Sequence, residues 1–374
     1  MTTRIPFAAG LAVSIALATQ TPDARGVSGG QDADAPGQRV QLARGGGQAG
    51  KPGSDFATLT ALPSLGAGSE ALAVNAAGTV VVGTAWDRSD LLYAVRWTLQ
   101  NGRWAISRLP WPPGASSAEA RGVNDAGDAA GSNFPRSASQ ALLWPAAGGL
   151  SVLGCATDVG PVTVYAISGA AQVVAGQGGA GAAVWQPGSC RTNLPPLVQG
   201  GSTFAAALNG DGTIVGGQAG DAAGTDLPVR WTLASGQWQI HALDTRAGGA
   251  SGANDAGDLA GSVTGEPCAV EGGCRRAVIW LAGGSAVTLG TLGGADSWAR
   301  DINDSGDVVG LSTSPQIGNT GYIWFAASQR MVQLPVKGRG ASANAVSDVR
   351  ADGTRLVVGM ASTGAVVWVV RDPQ

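Results

Sequence analysis

The chain is poor in the residues that most enzymes lean on. Among 374 residues there is one histidine, His241, with three tyrosines, three methionines and only 13% charged residues. A single imidazole excludes zinc sites built on several histidines and most histidine-based acid–base machinery. There is no excess of positive charge either: 23 Lys and Arg face 26 Asp and Glu, for a net charge of −3. That excludes the basic footprint of a general nucleic-acid binder. Beyond the N-terminus no apolar run reaches the ~20 residues of a membrane helix, and no stretch shows helical periodicity with caps. Disorder is excluded for most of the chain, because 44% of the residues are hydrophobic. What the sequence has in quantity is glycine, 60 residues, and tryptophan, 12 residues.

The first segment has the form of an address. MTTR places Arg4 before an apolar stretch that ends in Ala16-Leu17-Ala18, a small-x-small cleavage pattern. Residues 1–18 are therefore expected to be a secretory signal peptide, with the mature chain starting near Thr19. Residues 19–55 are rich in Gly, Gln, Ala and Asp and have almost no large apolar side chain, which is expected of a disordered linker. The packed domain is expected over residues 56–374, in a secreted or periplasmic protein.

One line recurs through that domain: an apolar segment, Asn-x-x-Gly, then a β-branched run closed by glycine. It stands as VNAAGTVVVG from Val74, VNDAGDAAG from Val123, LNGDGTIVG from Leu208, ANDAGDLAG from Ala253 and INDSGDVVG from Ile302. Worn copies begin at Ile167 and Val346, and the closing glycines are Gly83, Gly131, Gly176, Gly216, Gly261, Gly310 and Gly359. A second marker keeps the same beat: Trp97, Trp144, Trp185, Trp231, Trp280, Trp324 and Trp368 each end a short apolar run. The residue three before each tryptophan is Ala, Gly or Pro. Asn, Asp and Gly in the turn tolerate left-handed backbone, so each unit starts as a tight hairpin. The tryptophan marks a third strand, and a short alternating piece ending in Leu-Pro or Leu-Gly marks a fourth. Four strands every ~40–50 residues, repeated seven times, predict an all-β fold, a seven-bladed β-propeller of four-stranded antiparallel blades. The chain ends on a third strand, GAVVWVVRDPQ, while TLTALP, from Thr58 to Pro63, is a fourth strand with nothing before it. Pairing Thr58–Pro63 beside Val366–Val370 would close the ring with an N-terminal strand and remove two exposed edges.

The segment TLGTLGGADSWARDINDSGDVVGLS, from Thr288 to Ser312, resembles the HAF repeat, an extracellular repeat family of bacteria. The resemblance extends in weaker form over residues 58–374, and the His-Ala-Phe triplet is replaced by QALLW at Gln140 to Trp144. It implies an exported repeat domain and brings no chemistry with it.

Several motifs carry chemical overtones. Gly176 to Gly181 fits G-x-G-x-x-G, but a strand follows where a dinucleotide loop needs a helix N-terminus. Asp304-Ser305-Gly306 is the turn of one copy, with His241 two blades away as its sole possible base. The Asn-Asp-x-Gly turns offer oxygens but are too short for an EF-hand-type calcium loop. Arg96 and Arg230, in third strands, are expected to play structural parts. Arg121, Trp298, Arg300 and Asp301 lie on or before first strands near the channel mouth, and Trp86, Asp87 and Arg88 occupy a loop on the same rim. Exposed aromatics with arginine suit a binding surface, so these seven are the candidate ligand-binding residues.

The four cysteines, Cys155, Cys190, Cys268 and Cys274, suit disulfides in an exported protein. Cys268 and Cys274 share one loop. Cys155 and Cys190 pair by elimination, although the blade register nominally sets them at opposite ends. Zinc is the rival, without a nearby histidine. The expected function is an exported binding or scaffold module for an extracellular or periplasmic protein or glycan. It is expected to act as a monomer with no cofactor, no metal, no nucleic acid and no membrane span. The alternative is a carbohydrate-active hydrolase or lyase using carboxylates at the channel, for which Asp301, Glu70 and Glu119 are the candidates.

Overall fold

The computed structural model describes residues 56–373 apart from residues 136–138, 159, 170–172, 180, 269–272, 337 and 339. The expected signal peptide (residues 1–18) and linker (residues 19–55) lie outside the described residues. Seven antiparallel sheets of four strands follow one another along the chain. Blade 1 is Gly66–Val74, Val80–Asp87, Leu92–Gln100 and Arg103–Arg108. Blade 2 is Ser117–Val123, Ala129–Phe134, Ala141–Trp144 and Ser151–Leu153. Blade 3 is Val162–Ile167, Val174–Gly178, Gly181–Trp185 and Thr192–Asn193. Blade 4 is Thr203–Leu208, Ile214–Gly220, Asp226–Ala234 and Gln237–Ala242. Blade 5 is Gly248–Ala253, Leu259–Glu266, Cys274–Trp280 and Ala286–Thr288. Blade 6 is Ser297–Ile302, Val308–Ser314, Gly318–Phe325 and Arg330–Gln333. Blade 7 takes Ala341–Val346, Arg355–Ala361 and Gly364–Val370 from the end of the chain and Ala57–Ala61 from its start.

The first strands of successive blades touch around the axis, and that of blade 7 touches that of blade 1. The fold is a seven-bladed β-propeller. Its ring closes as expected, with Leu59 opposite Trp368 and the Arg371 N–H donating to the Phe56 carbonyl at 2.8 Å.

The asparagine at the end of an inner strand does more than turn the chain. Asn124 Oδ1 accepts the Asp128 N–H at 2.9 Å, while its Nδ2 donates to the Gly169 carbonyl of blade 3 at 2.9 Å. Asn254 and Asn303 repeat both contacts, each reaching the carbonyl of the next blade's turn. In the worn copies Ser168 and Ser347 supply a hydroxyl that accepts the Val173 and Leu356 N–H groups at 2.9 Å. The aspartates that follow link neighbouring blades. Oδ1 of Asp125, Asp255, Asp304 and Asp348 accepts the N–H of Ala76, Gly210, Asp255 and Asp304 at 2.7–2.9 Å. The turn oxygens that hinted at calcium are thus engaged by backbone donors.

Each inner strand also carries a β-bulge, for example between Ala120 and Gly122 and between Ala299 and Asp301. The bulge brings an inner-strand carbonyl over the closing glycine of the second strand. A Cβ on Gly131 would stand 1.9 Å from the Glu119 oxygen, and one on Gly310 would stand 1.9 Å from the Trp298 oxygen. Only glycine leaves room there. In blade 4 this position is Gly217, whose Cβ would lie 1.9 Å from the Phe204 oxygen, and not the expected Gly216. The turns of blades 1 and 4 are one residue longer, with the Asn75 N–H reaching the Val80 carbonyl and the Asn209 N–H the Ile214 carbonyl.

Between blades, the third-strand tryptophans fill the core, and Trp97, Trp144, Trp185, Trp231 and Trp368 are fully buried. Each removes about 150–250 Å² from water, or roughly 4–6 kcal/mol of gross hydrophobic stabilisation at 25 cal/mol per Å², an upper bound. The indole N–H groups of Trp97, Trp144, Trp231 and Trp368 donate to the carbonyls of Pro63, Pro110, Pro195 and Pro335 at 2.6–2.8 Å. The Leu-Pro that ends one blade thereby holds the tryptophan of the next. Small residues three before the tryptophan admit the neighbouring inner strand: a Cβ on Gly321 would lie 3.2 Å from the Ala343 nitrogen. Arg96 and Arg230 act structurally, donating to the Trp144 and Gly257 carbonyls of the following blades at 2.8 Å.

Both cysteine pairs are disulfides, Cys155–Cys190 and Cys268–Cys274. The register objection to the first is overcome locally. Asp158 Oδ2 accepts the N–H of both Cys155 and Arg191, at 3.0 and 2.9 Å, and folds the loop back. The fourth strand of blade 3 is only two residues long, Thr192–Asn193, which leaves Cys190 free to meet that loop.

Candidate functional site: the axial channel

A bulge lifts one residue of each inner strand out of the ladder and aims it inward. The seven so placed are Leu72, Arg121, Tyr165, Ala206, Ser251, Arg300 and Asn344. All seven line one cavity on the axis, of about 160 Å³. The next residue along the wall is Ala or Gly in six blades, whereas blade 6 places Asp301 there.

Arg121 is satisfied within its own blade. Its Nε lies 2.9 Å from Glu119 Oε1, its Nη2 donates to Glu119 Oε2 at 3.1 Å, and its guanidinium stands 5.2 Å from the Tyr165 ring centroid. Burial opposes the Arg121 charge, yet the Glu119 carboxylate outweighs it and holds the group above its ordinary value. Arg300 differs. Its Nη1 donates to Asn344 Oδ1, and it makes no ion pair among the described residues. Burial pulls its pKa below the ordinary value; Glu70 opposes that shift from beyond ion-pair distance, and Arg121 adds to it. Asn344 Nδ2 in turn donates to Glu70 Oε1 at 3.1 Å and to the Ala71 carbonyl at 2.8 Å.

Asp301 is pushed up to about 6 by burial, against the lowering effect of the Val346 and Ile302 N–H groups and with a small raising effect from Asp348. Its Oδ2 accepts the Val346 N–H of blade 7 at 2.9 Å, and the residue is part of the cavity lining. Tyr165 is the one aromatic residue of the described lining, and it packs against Phe204 with 4.9 Å between centroids. The lining is therefore mixed: Arg300, Asn344 and Arg121 of blades 6, 7 and 2 are polar, Leu72 of blade 1 is apolar, Tyr165 of blade 3 is aromatic, and Ala206 and Ser251 of blades 4 and 5 are small.

The structure brings Arg121, Arg300 and Asp301 together in this cavity and leaves the other candidates outside it. Trp298 is half-buried beneath Arg275, whose guanidinium lies 5.9 Å from its ring. Asp87 caps the blade 1 turn, accepting the N–H of Ser89 and Leu91 at 2.8 and 3.2 Å, and faces Arg108 at 3.6 Å. The Ser89 N–H is the main reason its pKa lies below the ordinary value. Trp86 lies over Gly68 and Arg88 over Gly66, on that same turn. Of the three carboxylates proposed for catalysis, Asp301 alone lines the cavity, whereas Glu119 and Glu70 are held by Arg121 and Asn344. Ser305 belongs to its turn through the Asn303 side chain, and His241 is exposed on the outer strand of blade 4. Cys155, Asp158 and Cys190 form the one acid–thiol grouping among the described residues compact enough for a metal, and both sulfurs are consumed by the disulfide.

Leu72, Tyr165, Ala206, Ser251 and Asn344 are the channel residues that the sequence reading passed over. Their signal was positional. Each stands three residues before the Asn or Ser that ends its inner strand, a column in which nearly every copy differs.

No family profile and no curated protein matches the sequence. Solved structures share the architecture. U3-55K superposes with a TM-score of 0.51 at 12% identity, covering 83% of this chain and 98% of its own. An ancestral GH74 enzyme gives 0.54 at 10% identity, over 85% of this chain but 52% of that longer one. Virginiamycin B lyase from Staphylococcus aureus gives 0.50 at 10% identity, over 84% and 99%. At such identities the likeness is one of fold alone.

Proposed function

We propose that this propeller is an exported binding module, akin to HAF-repeat proteins, that receives part of an extracellular or periplasmic protein or glycan in its axial channel. The observation that carries this reading is the bulge column. The flanking inner-strand positions are Ala, Gly or Val in every blade except for Asp301 in blade 6, while the bulge positions run Leu, Arg, Tyr, Ala, Ser, Arg, Asn and converge on one cavity. A polar set converging in a concave site is the usual mark of a ligand pocket. Two disulfides suit an oxidising compartment, and no described helix is long and apolar enough to cross a membrane.

The test is affinity capture and a glycan array with the purified protein, run beside an Arg121→Ala/Asn344→Ala double variant. Retention by the wild type and loss by the variant supports the reading; no ligand in either format, or equal retention by both, overturns it. Asp301 favours a second reading, because it is the one carboxylate residue in the described cavity lining. Release of reducing ends from a polysaccharide, abolished in Asp301→Asn, would carry that reading instead.

A further inference from the structure

Resting on the channel as the ligand site, we propose that the cavity seats a single uronic-acid unit, with its carboxylate against Arg300 and its ring toward Tyr165. Arg300 is the starting point. A guanidinium offers five N–H donors, and the protein engages one of its nitrogens, through Asn344. Arg300 is half-buried and has no counter-ion among the described residues, so a carboxylate entering the channel meets an uncompensated cation. Arg121 is not equivalent, because Glu119 already neutralises it.

Size and charge narrow the ligand. About 160 Å³ is close to the ~150 Å³ of an engineered cavity that binds benzene and well below the ~300–1,000 Å³ of a drug-sized site. That volume matches one six-membered ring. A single uncompensated guanidinium matches a monoanion. A phosphate dianion would bring a second negative charge beside Asp301, which already stands on the wall. Tyr165 gives the lining an aromatic side chain across the ring from Arg300, and the Ser251 hydroxyl, which donates to the Ala299 carbonyl, keeps lone pairs that accept from a sugar hydroxyl.

Isothermal titration of the purified protein with glucuronate, glucose, inorganic phosphate and a short peptide bearing a free C-terminal carboxylate tests this. Glucuronate is expected to bind, and the other three to bind about tenfold more weakly or not at all. Arg300→Met should lose glucuronate binding by about tenfold or more, Arg300→Lys should retain part of it, and Asp301→Asn should tighten it by removing a repelling charge. Circular dichroism of each variant checks folding, and the Asp301→Asn arm holds the proposal to account if Arg300→Met misfolds. Equal binding of glucose and glucuronate, unchanged binding in Arg300→Met, or preference for the peptide or phosphate overturns it. Should the captured partner still be retained by Arg300→Met, the binding-module reading survives and the uronate assignment falls.

Discussion

The indole N–H of Trp97 donates to the backbone carbonyl of Pro63 at 2.7 Å, whereas the N–H of Trp280, at the matching place in blade 5, has no partner among the described residues. The preceding blade ends differently at the two places. Where the fourth strand before blade 1 ends in Leu62-Pro63, the one before blade 5 ends in Leu243-Asp244, and Asp244 is turned to Arg246. Trp97→Phe removes ring volume and also strands a part-buried carbonyl, whereas Trp280→Phe removes ring volume and relieves a stranded donor. Trp97→Phe should therefore be the more destabilising by about 1–3 kcal/mol in urea unfolding. Equal losses would mean that the proline carbonyl contributes nothing.

Gly310→Ala places a methyl 1.9 Å from the Trp298 oxygen, in a position where φ is not itself restrictive. Gly283→Ala meets nothing within 4 Å. The first should cost at least about 2–3 kcal/mol and the second stay within roughly 0.5 kcal/mol, read as shifts in denaturation midpoint.

Asp301 gives a pH dependence of definite sign. Its pKa rises from 3.8 to about 6 on folding, so between those values the folded state holds more protons than the unfolded. Stability from this group is lost as pH climbs through that window, by up to about 3 kcal/mol above it. Asp301→Asn keeps an acceptor for the Val346 N–H and removes the titration. It should stabilise the protein by about 1–3 kcal/mol at pH 7–8, with the gain vanishing near pH 4. A gain independent of pH in thermal melts would count against the buried charge.

The two disulfides should differ in weight. Cys155–Cys190 closes 35 residues and ties the end of blade 2 to blade 3, whereas Cys268–Cys274 spans six. Loop-closure entropy assigns about 4 kcal/mol to the first and about 2 kcal/mol to the second. The Cys155→Ser/Cys190→Ser protein should melt well below the Cys268→Ser/Cys274→Ser protein.

Truncation tests the closure of the ring. A chain starting at Phe56 keeps the strand Ala57–Ala61 and should unfold like the longer one. A chain starting at Ser64 loses that strand, together with the Pro63 carbonyl that holds Trp97, and should be much less stable. Equal midpoints would mean that the pairing with Gly364–Val370 is dispensable.

Architecture was legible because its determinants repeat. Trp97 through Trp368 and the closing glycines recur at one period, and a packing constraint imposed seven times leaves seven copies of its signature. Gly217 was misread as Gly216 because a one-residue lengthening of the turn leaves two adjacent glycines, and composition does not say which lies beneath a carbonyl. The channel was only partly legible. Arg121 and Arg300 stood out by charge, but Ser251 and Asn344 acquire meaning only once a bulge turns them toward the axis, and a bulge is a property of paired strands. Trp86, Asp87 and Arg88 looked like a rim site by composition, yet backbone N–H groups claim Asp87 for the turn.

The strand Ala57–Ala61 is the first of the domain to leave the ribosome, and its hydrogen-bonding partner, Gly364–Val370, is the last. At about 5–20 residues per second the wait is roughly 15–60 s, far longer than the microseconds a hairpin needs to form. Blades 1 to 6 have all their strands in hand well before then, while the first strand remains an unpaired edge for the whole interval. The order of synthesis thus makes the seam the last pairing whose two strands become available, and the strand made first is the one that waits longest for its partner.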